Sequence, residues 1–223
     1  MIEYGVKDIL TQTRIFLILF VFYLLIPGFV LLTTAQGDFE IALNSFHTVY
    51  YDNFFLWSTY IGDGFFAAIV LVYLFLFVNM RVSLVSTSIL LCVSALTQIL
   101  KLFVFPSSSR PIVFFKDVIE LHFVDGLEIH SNNSFPSGHT TQAFCLFFLF
   151  SYFVKNKSYQ YVFFIAALLA AISRVYLLQH FLRDIYVGAL IGTFGSMLCL
   201  YCIHNFNWFS SAALDKPLIK KRI

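Results

Sequence analysis

Three short stretches of this chain carry ionisable residues at spacings that suit phosphate chemistry: KLFVFPSSSRP (Lys101 to Pro111), PSGH (Pro136 to His139) and SRVYLLQHFLRD (Ser173 to Asp184). Lys101, Arg110 and Arg174 supply positive charge, and arginine can present two parallel N–H donors to phosphate oxygens. Pro136 at a helix start, followed by Ser137 and Gly138, offers backbone N–H groups backed by the helix dipole, which is an anion site. Glycine lets that backbone come close to the anion. His180 and Asp184 are four residues apart, so on a helix they share a face. The carboxylate then accepts from one imidazole nitrogen and leaves the other as a nucleophile. His139, held at the same anion site, is the candidate acid for a leaving oxygen. The two histidines stand with arginines rather than with carboxylates or thiolates at ligand spacing, so the scheme calls for no metal and no cofactor.

The elements that must position these residues are apolar. The chain is 60% hydrophobic and only 12% charged, against about 25% charged in ordinary soluble domains. Too few polar residues remain to coat a soluble fold, and several apolar runs reach the roughly 20 residues that cross a bilayer. Hydropathy predicts six spans, near 15–34, 57–79, 83–105, 137–154, 159–178 and 184–204. The expected fold is all-α: an integral membrane six-transmembrane-helix bundle forming one domain over 1–223. A β-barrel would instead show short alternating segments. Residues 1–14 are weakly amphipathic and suit the interface, 106–134 form a polar loop, and 205–223 form a tail. The net charge of +2, with no basic stripe, gives no footprint for nucleic acid. Cys92, Cys145, Cys199 and Cys202 lie in apolar runs and read as small hydrophobes. The Cys199–Cys202 pair lacks the βαβ pattern or further ligands of a working CxxC.

Lysine and arginine set the orientation, because they accumulate in cytoplasmic loops. Lys7, Arg14, Arg81, Lys155, Lys157, Lys216, Lys220, Lys221 and Arg222 fall on the side of the termini. Asp38, Glu40, Asp52, Asp117, Glu120, Asp125 and Glu128 fall on the other. Both termini are therefore expected in the cytoplasm, with the 106–134 loop in the periplasm or a lumen. The basic exceptions outside are Lys101, Arg110, Lys116, Arg174 and Arg183, and three of them are the cations named above. Arg183 reads as an interfacial anchor, and His122 and His130 as loop residues. Asp63, in Gly62-Asp63-Gly64 near the outer end of span two, is costly there unless paired or hydrated. Either a site cation or the headgroup layer would serve. Asn132-Asn133-Ser134 is a sequon that matters only in a secretory compartment.

Taken together, the three stretches resemble the type 2 phosphatidic acid phosphatase (PAP2) superfamily, which shares its site with vanadium haloperoxidases. PSGH matches fully, and Ser173-Arg174, His180 and Asp184 match with the family's spacing. The first block departs: eight residues rather than six separate Lys101 from Arg110-Pro111, with Ser107, Ser108 and Ser109 crowded before the arginine. Lys116 is a rival for the lysine. The resemblance implies that His180 forms a phosphohistidine, Asp184 orients it and His139 protonates the leaving oxygen. It also implies that Lys101, Arg110, Ser137, Gly138 and Arg174 hold the phosphate, that vanadate mimics the transition state, and that Mg²⁺ is dispensable. A site in the membrane points to a membrane lipid phosphate as substrate, at the outer leaflet of a bacterial inner membrane. Lipid A, undecaprenyl pyrophosphate and phosphatidylglycerophosphate lead, with phosphatidic acid beside them. A phosphotransferase passing the phosphate to another acceptor is the alternative. A transporter or non-catalytic lipid binder fits less well, because the charges gather at one end and no repeat is visible.

Overall fold

Within hydrocarbon a backbone must satisfy its own polar groups, so the apolar runs become helices. The computed structural model describes residues 6–127, 130–206, 208, 209 and 211–219, and among them there is no strand. Glu128, Lys220, Lys221 and Arg222, used in the orientation argument, lie outside the described residues. The helices are α1 (Val6–Gln12), α2 (Arg14–Thr33), α3 (Asp38–Asn44), α4 (Val49–Thr59), α5 (Gly64–Phe77), α6 (Met80–Ile99), α7 (Pro111–Phe114), α8 (Gly138–Phe153), α9 (Tyr159–Tyr176) and α10 (Leu182–Asn205). A 3₁₀ turn at Tyr60–Gly62 joins α4 to α5, and a π-helical turn, Leu100–Val104, extends α6.

Six continuous spans were expected, and the helices depart from that pattern in two places. Among the described residues four are long and apolar enough to cross a membrane: Arg14–Thr33, Met80–Val104, Tyr159–Tyr176 and Leu182–Asn205. The second expected span, 57–79, is broken. Asp63 takes an extended backbone and its Oδ1 accepts from Phe65 N at 2.6 Å, so it ends one helix by capping the next. The two halves, Val49–Gly62 and Gly64–Phe77, meet at 53°.

The fourth expected span is α8, of 16 residues, about 24 Å at 1.5 Å per residue. Its CLFFLFSYFV run does not face lipid. Phe144, Phe148 and Leu149 are fully enclosed, and Phe144 and Phe148 both meet Phe16 of α2 edge-on, at 6.3 and 5.6 Å between centroids. Helices α6, α9 and α10 pack around α8. Gly188 and Gly192 bring α10 so close that an added Cβ would lie 2.7 Å from Ser137 O and 2.5 Å from Thr141 O. The lipid-like surface is on the outer helices instead. On α2, Leu25, Ile26, Phe29 and Leu32 are all more than half exposed, a patch too large for a water-facing monomer.

The first and last described segments are tied in at the lysine-rich end of the bundle. Ile9 of α1 is buried, and α1 packs on α8 and α10. Gln160 Nε2 donates to Gln12 O at 2.6 Å while its Oε1 accepts from Phe16 N at 3.0 Å. The tail turns back: Leu218 N and Ile219 N donate to Phe75 O and Leu76 O at 3.2 and 2.9 Å. Arg81 pairs with Asp215 at 2.7 Å. At the opposite end, the 106–134 loop is pinned by His122. Its backbone exchanges two bonds with the Asn44 amide (2.8 and 3.0 Å), and its Nε2 lies 2.9 Å from Asp52 Oδ2.

Candidate active site

The turn between α9 and α10 is built by backbone geometry. Leu178 sits in the left-handed region (φ 54°), which lets Gln179 N and His180 N both donate back to Arg174 O at 2.9 and 3.1 Å. This is a left-handed C-terminal stop of the kind glycine usually provides. His180 therefore precedes α10 rather than riding on it, contrary to the shared-helix expectation. Asp184 is the third residue of α10 and curls back over the helix start. Its Oδ2 accepts from Phe181 N at 3.0 Å and from Ser134 Oγ, and lies 3.4 Å from His180 Nδ1. The pairing predicted for the two side chains is present, but by a different local route. The His180 pKa is held down to about 3, chiefly by burial, with Asp184 opposing. The imidazole is neutral at physiological pH. From α3, buried Glu40 accepts from Leu182 N at 2.7 Å and so caps the same helix start. Burial raises the Glu40 pKa above its ordinary value.

The N-terminus of α8 lies against this turn. Ser137 caps it, its Oγ accepting from Thr140 N at 3.4 Å, and Ser137 N donates to Asp184 O at 3.0 Å. That N–H is thus committed to the protein rather than left for an anion. The N–H groups of Gly138 and His139, at the first two helical positions, have no intrahelical acceptor. A Cβ at Gly138 would meet no atom within 4 Å, so the helix start is open on that side.

The cations converge on the same place. Arg110, Arg174 and Lys101 are each less than a tenth exposed. Arg110 donates through Nε to Asn132 O (3.1 Å) and through one terminal nitrogen to Gln179 O and Oε1 (both 3.0 Å). Arg174 donates to Thr59 Oγ1 at 2.6 Å and reaches Gln179 Oε1 at 3.5 Å, while its Nε has no partner. Gln179 thus sets two guanidinium groups side by side. Burial draws the Arg110 pKa below its ordinary value, and the Asp184 charge opposes that shift. Lys101 Nζ donates to Asn133 O at 3.1 Å, whereas Lys116 is exposed. The lengthened first block is absorbed by the π-helical turn at Leu100–Val104 and a serine turn. In that turn Ser108 O accepts from Ser134 N (3.0 Å), and Ser108 Oγ accepts from Phe135 N (3.0 Å).

All eight predicted site residues meet in this cluster. Three further members, Ser134, Gln179 and Thr59, were not anticipated. In the sequence Ser134 reads only as part of a sequon, and adjacency to PSGH and to His180 is the available signal for Ser134 and Gln179. Thr59 carried none. Three buried cations against the two buried carboxylates at this helix start, Asp184 and Glu40, leave an excess of positive charge that a bound anion would balance. Among the described residues no group of histidine, cysteine and carboxylate side chains is arranged to hold a metal ion.

Comparison with known proteins identifies the family. The PAP2 superfamily model matches residues 81–208, which holds every predicted site residue. The crystal structure of Aquifex aeolicus LpxE superposes with a TM-score of 0.65 and 26% identity, covering 75% of this chain and 96% of that one. A transmembrane PAP2-type phosphatidylglycerolphosphate phosphatase from Bacillus subtilis superposes with a TM-score of 0.61 and 21% identity, over 87% of this chain and 98% of that one. No curated protein matches in sequence. With more than half its length matched, site included, this chain belongs to the PAP2 superfamily.

Proposed function

We propose that the protein hydrolyses a phosphate, as a monoester or pyrophosphate, from a membrane lipid headgroup through a phosphohistidine on His180. One observation carries the reading. A neutral, buried His180 has its Nδ1 3.4 Å from Asp184, which leaves Nε2 as the nucleophile, beside paired guanidinium groups and a helix N-terminus. Nε2 attacks phosphorus as the bond to the leaving oxygen breaks. Lys101, Arg110, Arg174 and the Gly138 N–H stabilise the five-coordinate transition state. His139 gives its proton to the leaving oxygen, then takes one from the water that cleaves the P–N bond and releases inorganic phosphate. Ser137 acts by capping the helix and buttressing Asp184.

The topology that goes with this reading has six crossings, counting the bent α4–α5 pair and α8 as one each. Both termini are cytoplasmic and the site faces the periplasm of a bacterial inner membrane, as the lysine and arginine bias indicates. Lipid A, undecaprenyl pyrophosphate and phosphatidylglycerophosphate are the substrates to try first. Detergent-purified protein is expected to release inorganic phosphate from at least one of them, undiminished by EDTA and inhibited by vanadate. Release that stops with EDTA and returns with Mg²⁺ would overturn the mechanism. Phosphate appearing only on an added acceptor would convert the hydrolase into a transferase.

A further inference from the structure

The break between α4 and α5 also reaches the site. Gly62 lies against the first turn of α8, where an added Cβ would come within 3.0 Å of His139 O. Thr59 takes a bond from Arg174. Between them, Asp63 puts one carboxylate oxygen on Phe65 N and the other 3.6 Å from His139 Nε2. Both side chains are about a third exposed (33% for His139 and 38% for Asp63). The other charged or titratable groups acting on His139 are Arg174 from α9, His180 from the α9–α10 turn, Lys101 from the π-helical turn and Arg110 from the loop. None of these carries negative charge. Among the described residues Asp63 is the carboxylate within ion-pair distance of this ring.

A general acid must hold its proton when the P–O bond breaks, and burial together with three neighbouring cations works to expel it. We propose that Asp63 is the positioning residue that favours the protonated form of His139 and orients its ring for proton transfer to the leaving oxygen. The separation of 3.6 Å is longer than a hydrogen bond, so the pair acts through charge and leaves the N–H free for the substrate. As the P–O bond breaks, the proton passes to the departing oxygen and His139 becomes neutral. The inference rests on the assignment of His139 as the acid. It adds a role for a segment that lies outside the family-matched residues 81–208.

Asp63→Asn tests it, because the amide oxygen can still accept from Phe65 N while the charge is lost. Asp63→Ser does the same with a different cap, and matching elution profiles show that both remain folded. With a lipid phosphomonoester, whose alkoxide must be protonated to leave, kcat/KM should fall about 100-fold. With p-nitrophenyl phosphate, whose leaving group departs unprotonated, it should fall little. The basic limb of the lipid kcat/KM–pH profile should also move to lower pH, because His139 without Asp63 loses its proton sooner. That profile decides the matter even if the aryl ester turns over slowly. Equal losses on both esters, or an unmoved basic limb, would overturn the role of Asp63. Phosphate release by His180→Ala would instead overturn the phosphohistidine reading beneath it.

Discussion

His180→Ala is expected to abolish phosphate release, a loss of about 10⁴-fold or more, in a protein that keeps its fold. Removing a nucleophile removes the covalent route entirely, and what remains is the binding and charge stabilisation of the surrounding cations. The fold should survive because the main chain of the turn does not depend on the ring. His180 N bonds Arg174 O, and Asp184 keeps Phe181 N and Ser134 Oγ. The imidazole is neutral in the free protein, its pKa lying near 3, so its loss strips no buried cation from Asp184. The measurement pairs phosphate release with a thermal melt in detergent and a search for acid-labile phosphate on the protein. Trapped label in the parent and none in the variant is the expected result. A variant that melts like the parent and still turns over lipid phosphate would remove His180 from the mechanism.

The second large effect is on packing. Gly192→Val should lower stability by about 3 kcal/mol, roughly 6–12 °C in Tm for a chain of this size. The contacts are with helix backbone, which cannot step aside: a Cβ at Gly192 would stand 2.5 Å from Thr141 O, 2.9 Å from Phe144 Cβ and 3.1 Å from Cys145 N. Helices α8 and α10 would have to separate. One bond between them is Ser137 N to Asp184 O, at 3.0 Å, so activity should fall along with stability. Gly195→Ala is the control. Its Cβ would meet only the Val93 side chain, at 3.1 Å or more, and a rotamer change can relieve that. Comparable melting losses in the two variants would show that the close α8–α10 approach is not what stabilises the bundle.

How much of this was legible in the residues follows from how far each interaction reaches along the chain. PSGH and the Ser173–Asp184 block were readable because their members are near neighbours whose types and spacing report one turn each. The polar cost of Asp63 in an apolar run was readable too, but not its partner, which lies 76 positions away in sequence. Arg110 to Gln179 and Arg174 to Thr59 span 69 and 115 positions, and no local pattern announces such pairs. The His180–Asp184 geometry was misjudged for a different reason. Helix α9 stops at a left-handed leucine, Leu178, where a glycine would have signalled the stop. Hydropathy marked 137–154 as one more span without showing what would surround it. An apolar run reads alike whether its neighbours are acyl chains or other helices, and here they are α6, α9 and α10.

The enclosure of α8 has a consequence for how the protein sits in bilayers of different thickness. A span bathed in acyl chains answers hydrophobic mismatch by tilting or by dragging the bilayer to its own length. Helix α8 has its side chains sheathed by protein along almost its whole length, so its depth is set by its neighbours. Thinning or thickening of the membrane is taken up first by the outer staves, α2 and α6, whose apolar faces are open. The start of α8, with Gly138 and His139, keeps its register against Asp184 while the rim of the barrel adjusts.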